Sequence, residues 1–380
     1  MKHFRYHSSR RAALTALGGL GLLACAALPV QAQTPATPVR IGLSAPLSGP
    51  MAPVFAGVLA GQKLAVEEHN QRGRGQPIEL VLLDDGYDPR RTAENIGKLI
   101  EEKVAAVFGT VGTAQTVAAL KMLTPAKIPL IASYTGTPAL RTADFPTYFT
   151  TQASYMDESA RIIRHLTTVQ TSRVAVLYQD DAFGRSMLPM LQKAAADAGA
   201  EVVATRVMDA SGKDVGPAAQ AIAEAKPQSV VVLVAGPGVV PAIKALRRVV
   251  AAPLYTYSLA ISAAAIQALG ADAVGLAVVR STPYPWSVTQ SLARSYTVLA
   301  KKNELPVDYD HYLGYINGRV LVEAVRTAGT DPSPAAMAIA MEKLGRLDLG
   351  GYSLNFGPDR HHGSNFTEIT FIGPRGRFVR

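Results

Sequence analysis

Between Val39 and Val279 short β-type runs alternate regularly with helical stretches. The runs are Val39–Leu43, Ile78–Leu83, Ala105–Phe108, Pro129–Ala132, Tyr148–Thr150, Val174–Tyr178, Val202–Val207, Ser229–Val234, Leu254–Tyr257 and Val274–Val279. Strands separated by helices of about 10–15 residues cannot pair as hairpins, so they form parallel sheets in right-handed βαβ units. A single open sheet of about ten twisted strands is strained, so two lobes are expected. The fold class is therefore α/β, with two doubly wound parallel-sheet lobes. Beyond Val279 the pattern changes: helices are expected near Ser287–Asn303, Tyr309–Ala328 and Ser333–Leu344, then β-type segments at Tyr352–Phe356 and Phe366–Ile372. The sequence carries no internal repeat, and its one short linker is Gln33–Pro38.

The stretch Val104–Leu140 concentrates the binding signals. A buried-type strand breaks at Gly109-Thr110-Val111-Gly112-Thr113, and Thr116, Ala119, Leu120 and Leu123 then recur at helical spacing until Pro125. The next strand ends in Ser133-Tyr134-Thr135-Gly136-Thr137-Pro138. Two adjacent strands thus end in loops of hydroxyls and main-chain amides, where open α/β sheets hold ligands. Glycine permits close backbone approach, and a helix starting near Thr113 directs its positive end at an anion. Capping and turn roles for Thr113, Thr135 and Thr137 are the plainer alternative.

The first 32 residues stand apart. Lys2, Arg5, Arg10 and Arg11 precede an apolar run from Ala12 to Leu28, and Val30-Gln31-Ala32 has the form of a cleavage site. This reads as an export signal covering residues 1–32 and hence a periplasmic protein. Arg10-Arg11 leaves the twin-arginine route open beside the general one. The sole cysteine, Cys25, lies in this segment; Leu22-Leu23-Ala24-Cys25 resembles a lipobox, with an inert cysteine and cleavage after Ala32 the favoured alternative. Removing the signal takes four of the 38 Lys and Arg and no acid, leaving +5 against 29 Asp and Glu. The basic residues are scattered without aromatic interleaving, so nucleic acid is not an expected partner. No later apolar run approaches the ~20 residues of a membrane span.

From Val39 onward the chain resembles the type I periplasmic solute-binding proteins of ABC importers, especially the branched-chain amino acid and amide binding family. The matching pieces are Leu47-Ser48-Gly49-Pro50, Asp84-Asp85-Gly86-Tyr87-Asp88-Pro89, Phe108–Thr113, Tyr134–Pro138 and Tyr178–Gly184. The resemblance implies two lobes joined by three hinge crossings, near Thr151–Ala153, Ser281–Pro283 and His361–Ser364. The N-terminal lobe is then 39–151 with 283–362, and the C-terminal lobe 152–282 with 363–380. It implies ligand contacts from Thr113, Thr135, Gly136 and Thr137 in the first lobe, from Phe183 over the ligand, and from Tyr155, where amino-acid binders often place an acidic contact. Some relatives place a cysteine pair at Tyr87 and Gly112, so Tyr87 is either packing or pocket wall. The implied partners are a small carboxylate-bearing molecule and an inner-membrane ABC permease, for a monomer without cofactor.

One departure bears on the ligand. Amino-acid binders of the family place an acid for the ligand ammonium near Ser258 and Leu259, and Tyr257-Ser258-Leu259-Ala260 has none. A buried ammonium without an anion costs several kcal/mol, which favours a carboxylate with an apolar or aromatic body. Trp286, beside Tyr284, either lines the cleft or fills a lobe edge. Asp84-Asp85 reads as turn chemistry, and Asp359-Arg360-His361-His362 as a solvated loop, rather than as metal ligands. Two rivals remain: a ligand sensor using the same cleft, and a periplasmic enzyme. Against the enzyme, the chain has no Gly-x-Ser-x-Gly, no Ser-x-x-Lys, no zinc spacing and no dinucleotide fingerprint after a strand.

Overall fold

The computed structural model describes residues 37–330 and 332–380; the expected export signal and Cys25 lie outside them. The first part of the described chain runs β1 (Val39–Ala45), α1 (Ala52–Arg72), β2 (Ile78–Asp84), α2 (Pro89–Glu101), β3 (Ala106–Phe108), α3 (Thr113–Ala126), β4 (Leu130–Ile131) and β5 (Tyr148–Phe149). Next come α4 (Tyr155–Thr168), β6 (Arg173–Gln179), α5 (Ala182–Asp197), β7 (Glu201–Met208), α6 (Val215–Glu224), β8 (Ser229–Leu233), α7 (Val239–Val249), β9 (Leu254–Thr256), α8 (Ala263–Leu269) and β10 (Ala277–Arg280). The last part holds α9 (Ser291–Lys302), α10 (Tyr309–Ala328), α11 (Pro334–Lys343), β11 (Arg346–Asp348), β12 (Ser353–Asn355), β13 (Glu368–Ile372) and β14 (Phe378–Val379).

Two sheets form. The first is ordered β2-β1-β3-β4-β5 and is parallel throughout. The second is ordered β7-β6-β8-β9-β10, then β13 and β14. Its first five strands are parallel, and β13 and β14 add antiparallel to one edge. The five-strand order is the same in both halves, so a repeat absent from the sequence is present in the topology. In each half the order reverses beside the first strand, which places a ligand crevice at the carboxyl ends there.

Near-continuous apolar runs make the central strands. Every residue of β8 is buried, as are those of β3 and β9. Parallel strands covered by helices on both faces lose the polar alternation of an edge. Helix α10 is buried along most of its length and crosses α1 where Gly61 and Gly314 let the backbones meet. A Cβ at either glycine would strike main-chain atoms of the other helix.

The chain passes between the sheets three times: after β5, after β10 and after β12. The crossings are tied together. Thr150 donates its amide to the His361 carbonyl at 3.0 Å, and Gly363 donates back to Thr150 at 2.8 Å. Thr151 Oγ1 donates to Asn317 on α10 at 2.6 Å, and Arg141 donates to the Gln152 and Ala153 carbonyls at 3.0 and 3.1 Å.

Some boundaries differ from those expected. The strand expected at Val274–Val279 begins at Ala277, because 270–273 form a 3-10 turn and Gly275 takes φ 76° while donating to the Ile372 carbonyl. Helix α3 includes Pro125 but ends one residue later, at Ala126, with Lys127 in the left-handed conformation as its cap. Strands β11 and β14 carried no readable alternation because each is only two or three residues long.

Candidate functional site: a cavity where the strand ends of both sheets meet

The loops after eight strands converge on one small cavity. Its lining is Met51 after β1, Tyr87 after β2, Val111, Gly112 and Thr113 after β3, and Tyr134 after β4. From the other side come Tyr155, Phe183, Ala235 and Leu259, after β5, β6, β8 and β9. Its volume is about 30 Å³, room for a water or two but not for an organic molecule. No lining side chain is charged. Met51 closes it from the first sheet against Gly236 of the second, where a Cβ would come 2.6 Å from the Met51 sulfur.

The first-sheet wall is set by unusual backbone. Gly86 and Tyr87 take φ values of 54° and 66°. A left-handed tyrosine is rare and is kept only where its surroundings hold it. Here Asp85 Oδ1 accepts the Tyr87 amide at 2.9 Å, and Gln115 Nε2 on α3 donates to the Tyr87 carbonyl at 2.7 Å. The ring then lies on Gly112, where a Cβ would come within 2.8 Å of ring carbon. Gly112 has φ 94° and ψ 155°, and it starts α3 with Thr113 as the first helical residue. Thr113 Oγ1 and Thr135 Oγ1 are hydrogen-bonded at 3.1 Å. Thr113 is also the first residue of α3, so this pair stands at the amino end of the helix, its positive pole.

Asp84 and Asp85 organise that wall from behind. Asp84 accepts from the Leu47, Ser48 and Gly86 amides at 2.9, 3.2 and 2.9 Å, and the Ser48 hydroxyl at 2.5 Å. These bonds, that of Ser48 foremost, hold its carboxyl well below the usual range. Asp85 is buried between Ser44 and Thr92, each donating at 3.0 Å, and burial raises it. Both acids fasten turns, as their Gly-Tyr-Asp-Pro context implied.

On the opposite wall, Ser154 caps α4 in a full capping box with Asp157, which fixes Tyr155 at the helix start. Tyr155 donates its amide to the Gly136 carbonyl at 2.8 Å, and its ring covers Gly136 so closely that a Cβ there would lie 2.7 Å away. Burial raises the Tyr155 phenol, against hydrogen bonds with Gly136 and Thr135 that lower it. Phe183, placed by the Asp181 cap of α5, meets Tyr155 edge-on at 5.4 Å.

Of the residues singled out in the sequence, Thr113, Tyr87, Tyr155 and Phe183 line the cavity. Thr135 reaches it through its bond to Thr113, and Gly136 lies beneath Tyr155. Thr137 is buried with its hydroxyl unpartnered and is not in the lining. Trp286 stands elsewhere, packed on Tyr284, Tyr309 and Phe378. It lines a separate apolar cavity of about 690 Å³ with Ile266 and Val274.

Two features escaped the sequence reading. Tyr134, one position from Thr135, is 7% exposed and lines the cavity. Glu158, one turn along α4 from Tyr155, brings a carboxylate to Ser258: its Oε2 accepts the Ser258 amide at 2.9 Å and its Oε1 the Ser258 hydroxyl at 2.7 Å. Burial pushes Glu158 up to about 7, with Ser258, Arg280 and Arg141 pulling it down. Arg280 is buried too, stacked 4.2 Å from Tyr309 and 4.7 Å from Phe378. An acid therefore stands behind Ser258 although Tyr257–Ala260 holds none. Its oxygens are occupied by Ser258, and none of its atoms lines the cavity. Only the i, i+3 spacing of Tyr155 and Glu158 could have suggested it.

The family profile described as periplasmic binding protein matches residues 38–370. The chain belongs to the periplasmic binding protein family. Its fold is the type I form, with two parallel-sheet lobes joined by crossings. The Leu/Ile/Val-binding protein of Escherichia coli K12 is 24% identical over 200 residues, 52% of this chain and 54% of that protein. The chain thus spans about half the length of that curated relative in the match. A possible leucine/isoleucine/valine-binding protein from Rhodopirellula baltica superposes with a TM-score of 0.85 at 26% identity, over 93% of this chain and 98% of that one. An extracellular ligand-binding receptor from Verminephrobacter eiseniae gives 0.84 at 28%, over 90% and 100%. Members of this family bind solutes rather than turn them over, and the family is exported to the periplasm. Among the described residues no helix is long and apolar enough to cross a membrane.

Proposed function

We propose that this protein is exported through its first 32 residues, captures a small carboxylate between its lobes and delivers it to an ABC permease. The observation that carries this reading is the cavity itself: an uncharged, largely aromatic and aliphatic space with one hydroxyl pair beside a helix amino end. Thr113, Thr135 and the adjoining amides of α3 and Gly136–Thr137 hold the carboxylate. Tyr87, Tyr155 and Phe183 enclose the body of the ligand. The lobes are 39–151 with 283–362 and 152–282 with 363–380, and they part about the three crossings to admit it. With room for only a water or two when closed, the cavity has to widen for any ligand to enter.

The carboxylate without an ammonium is favoured by the state of Glu158. Both its oxygens accept from Ser258 and burial raises its carboxyl toward the neutral form, which leaves no free anion for an ammonium group. Leucine and valine, bound by the curated relatives according to their names, are the comparison ligands. The test is a melting-temperature screen of the mature protein against carboxylic acids and their α-amino counterparts, followed by calorimetry. At 100 times Kd a bound acid adds about 2.7 kcal/mol of stability, visible as a shift of several degrees. Tight binding of leucine or valine, with no response to their deaminated analogues, overturns the carboxylate reading. Turnover of a bound acid overturns the binding role.

A further inference from the structure

Tyr134 is the residue the cavity leaves unexplained. Its main chain continues the pairing of β3 and β4: Val111 bridges to Tyr134, the Tyr134 amide donates to the Thr110 carbonyl, and its carbonyl accepts from Gly112. The side chain is therefore aimed by sheet geometry and not by a flexible loop. Phe55 on α1 holds the ring edge-on at 6.0 Å. The hydroxyl at its end is buried and has no protein partner. Among native structures such a hydroxyl is uncommon, because burying it without a hydrogen bond is unfavourable. Tyr134 shares the cavity lining with Thr113, Tyr87 and Tyr155, and burial raises its phenol.

We propose that Tyr134 sets which carboxylates this protein selects, its hydroxyl bonding a hydroxyl or carbonyl group carried on the ligand body. The inference rests on the carboxylate reading and extends it to a class: aromatic or branched acids bearing a second, uncharged polar group. A phenol both donates and accepts, so either a ligand hydroxyl or a ligand carbonyl satisfies it. A purely apolar body leaves the hydroxyl unpartnered inside a closed cleft, and that penalty is the source of selectivity.

The experiment compares wild type with Tyr134→Phe, using benzoate against para-hydroxybenzoate and phenylacetate against para-hydroxyphenylacetate as probes. Calorimetry on wild type is expected to favour the hydroxylated member of at least one pair by about tenfold. In Tyr134→Phe that ratio falls to near one. The free proteins supply a reading that needs no ligand: Tyr134→Phe melts at or above wild type, since no bond is lost. Melting several degrees lower overturns the proposal, because the hydroxyl then has a structural partner. Equal binding of both members of each pair by wild type also overturns it while sparing the carboxylate reading. Failure of every acid to bind removes the carboxylate reading and this inference with it.

Discussion

The first-sheet side of the cavity offers neutral hydroxyls and helix amides directly to the space between the lobes. The second-sheet side has charged residues too, yet turns them away: Glu158 faces Ser258, and Arg280 lies between Tyr309 and Phe378. What the cavity sees from that side is Tyr155, Phe183, Ala235 and Leu259. Two walls built on one strand order thus divide the work, one giving polarity and the other shape. The lesson is that the net charge of residues near a cleft says little until their partners are counted. A buried acid whose oxygens are already bonded is silent to a ligand.

The largest break of this contrast is expected at Gly112. A non-glycine residue at φ 94° and ψ 155° costs about 1–3 kcal/mol. Its Cβ would also displace the Tyr87 ring, 2.8 Å away, at a further cost of about 1–3 kcal/mol. Gly112→Ala should lower the melting temperature by about 10 °C and remove measurable binding, because it distorts the hydroxyl wall at its origin. Calorimetry and thermal melts check both. Retained affinity would mean that this wall does not meet the ligand.

Next in size is the hydroxyl pair. Thr113→Val and Thr135→Val each remove a donor to a charged group, worth about 1.5–3 kcal/mol, so binding of the true ligand should weaken about ten- to a hundredfold with folding intact. Unchanged dissociation constants in both variants would move the anion to another part of the cleft.

How far the sequence foretold this contrast differs between the walls. The first wall was legible because its parts are local: glycine and threonine follow each strand within a few residues, and turn chemistry reads directly. The second was legible only in its aromatic members, Tyr155 and Phe183, which stand at helix starts. Glu158 bonds Ser258 across 100 residues, and no pattern in either segment announces that meeting. Tyr134 was hidden differently: a tyrosine among hydroxyl residues looks like strand-end packing until its unpartnered oxygen is seen. The strand order shared by both sheets was illegible for a third reason, since hydrophobic runs record burial but not neighbours.

Glu158 supplies a pH test of the silent-charge account. Its carboxyl is raised to about 7, and that of Asp310 to about 6, both chiefly by burial. A raised acid favours the protonated folded state, so its contribution is complete below the unfolded value near 4.5 and is lost as pH climbs through about 7. Wild type should therefore lose more stability between those limits than Glu158→Gln, in which the amide can still accept from the Ser258 amide and donate to its hydroxyl. The expected difference is about 1–3 kcal/mol, read from melting temperatures across the range. Identical slopes would show that Glu158 stays ionised throughout and is available as a counter-charge.

The smallest expected effect asks what holds the two walls together. Tyr352 donates its hydroxyl to the Thr151 carbonyl at 2.9 Å and lies 3.4 Å from that of Ser281. Those carbonyls belong to segments that follow β5 and β10, two of the three passages between the sheets, and Ser364 in the third also hydrogen-bonds this phenol. Across the cavity itself the walls touch through Met51 over Gly236. If the crossings govern closure, Tyr352→Phe should cost only about 1 kcal/mol of stability yet enlarge the radius of gyration of the free protein in solution scattering. Met51→Ala should leave that radius unchanged, because an apolar contact at the rim restrains the lobes less than a bond shared by the crossings. The reverse pattern would place control of closure at the cavity mouth and reduce the Tyr352 hydroxyl to packing.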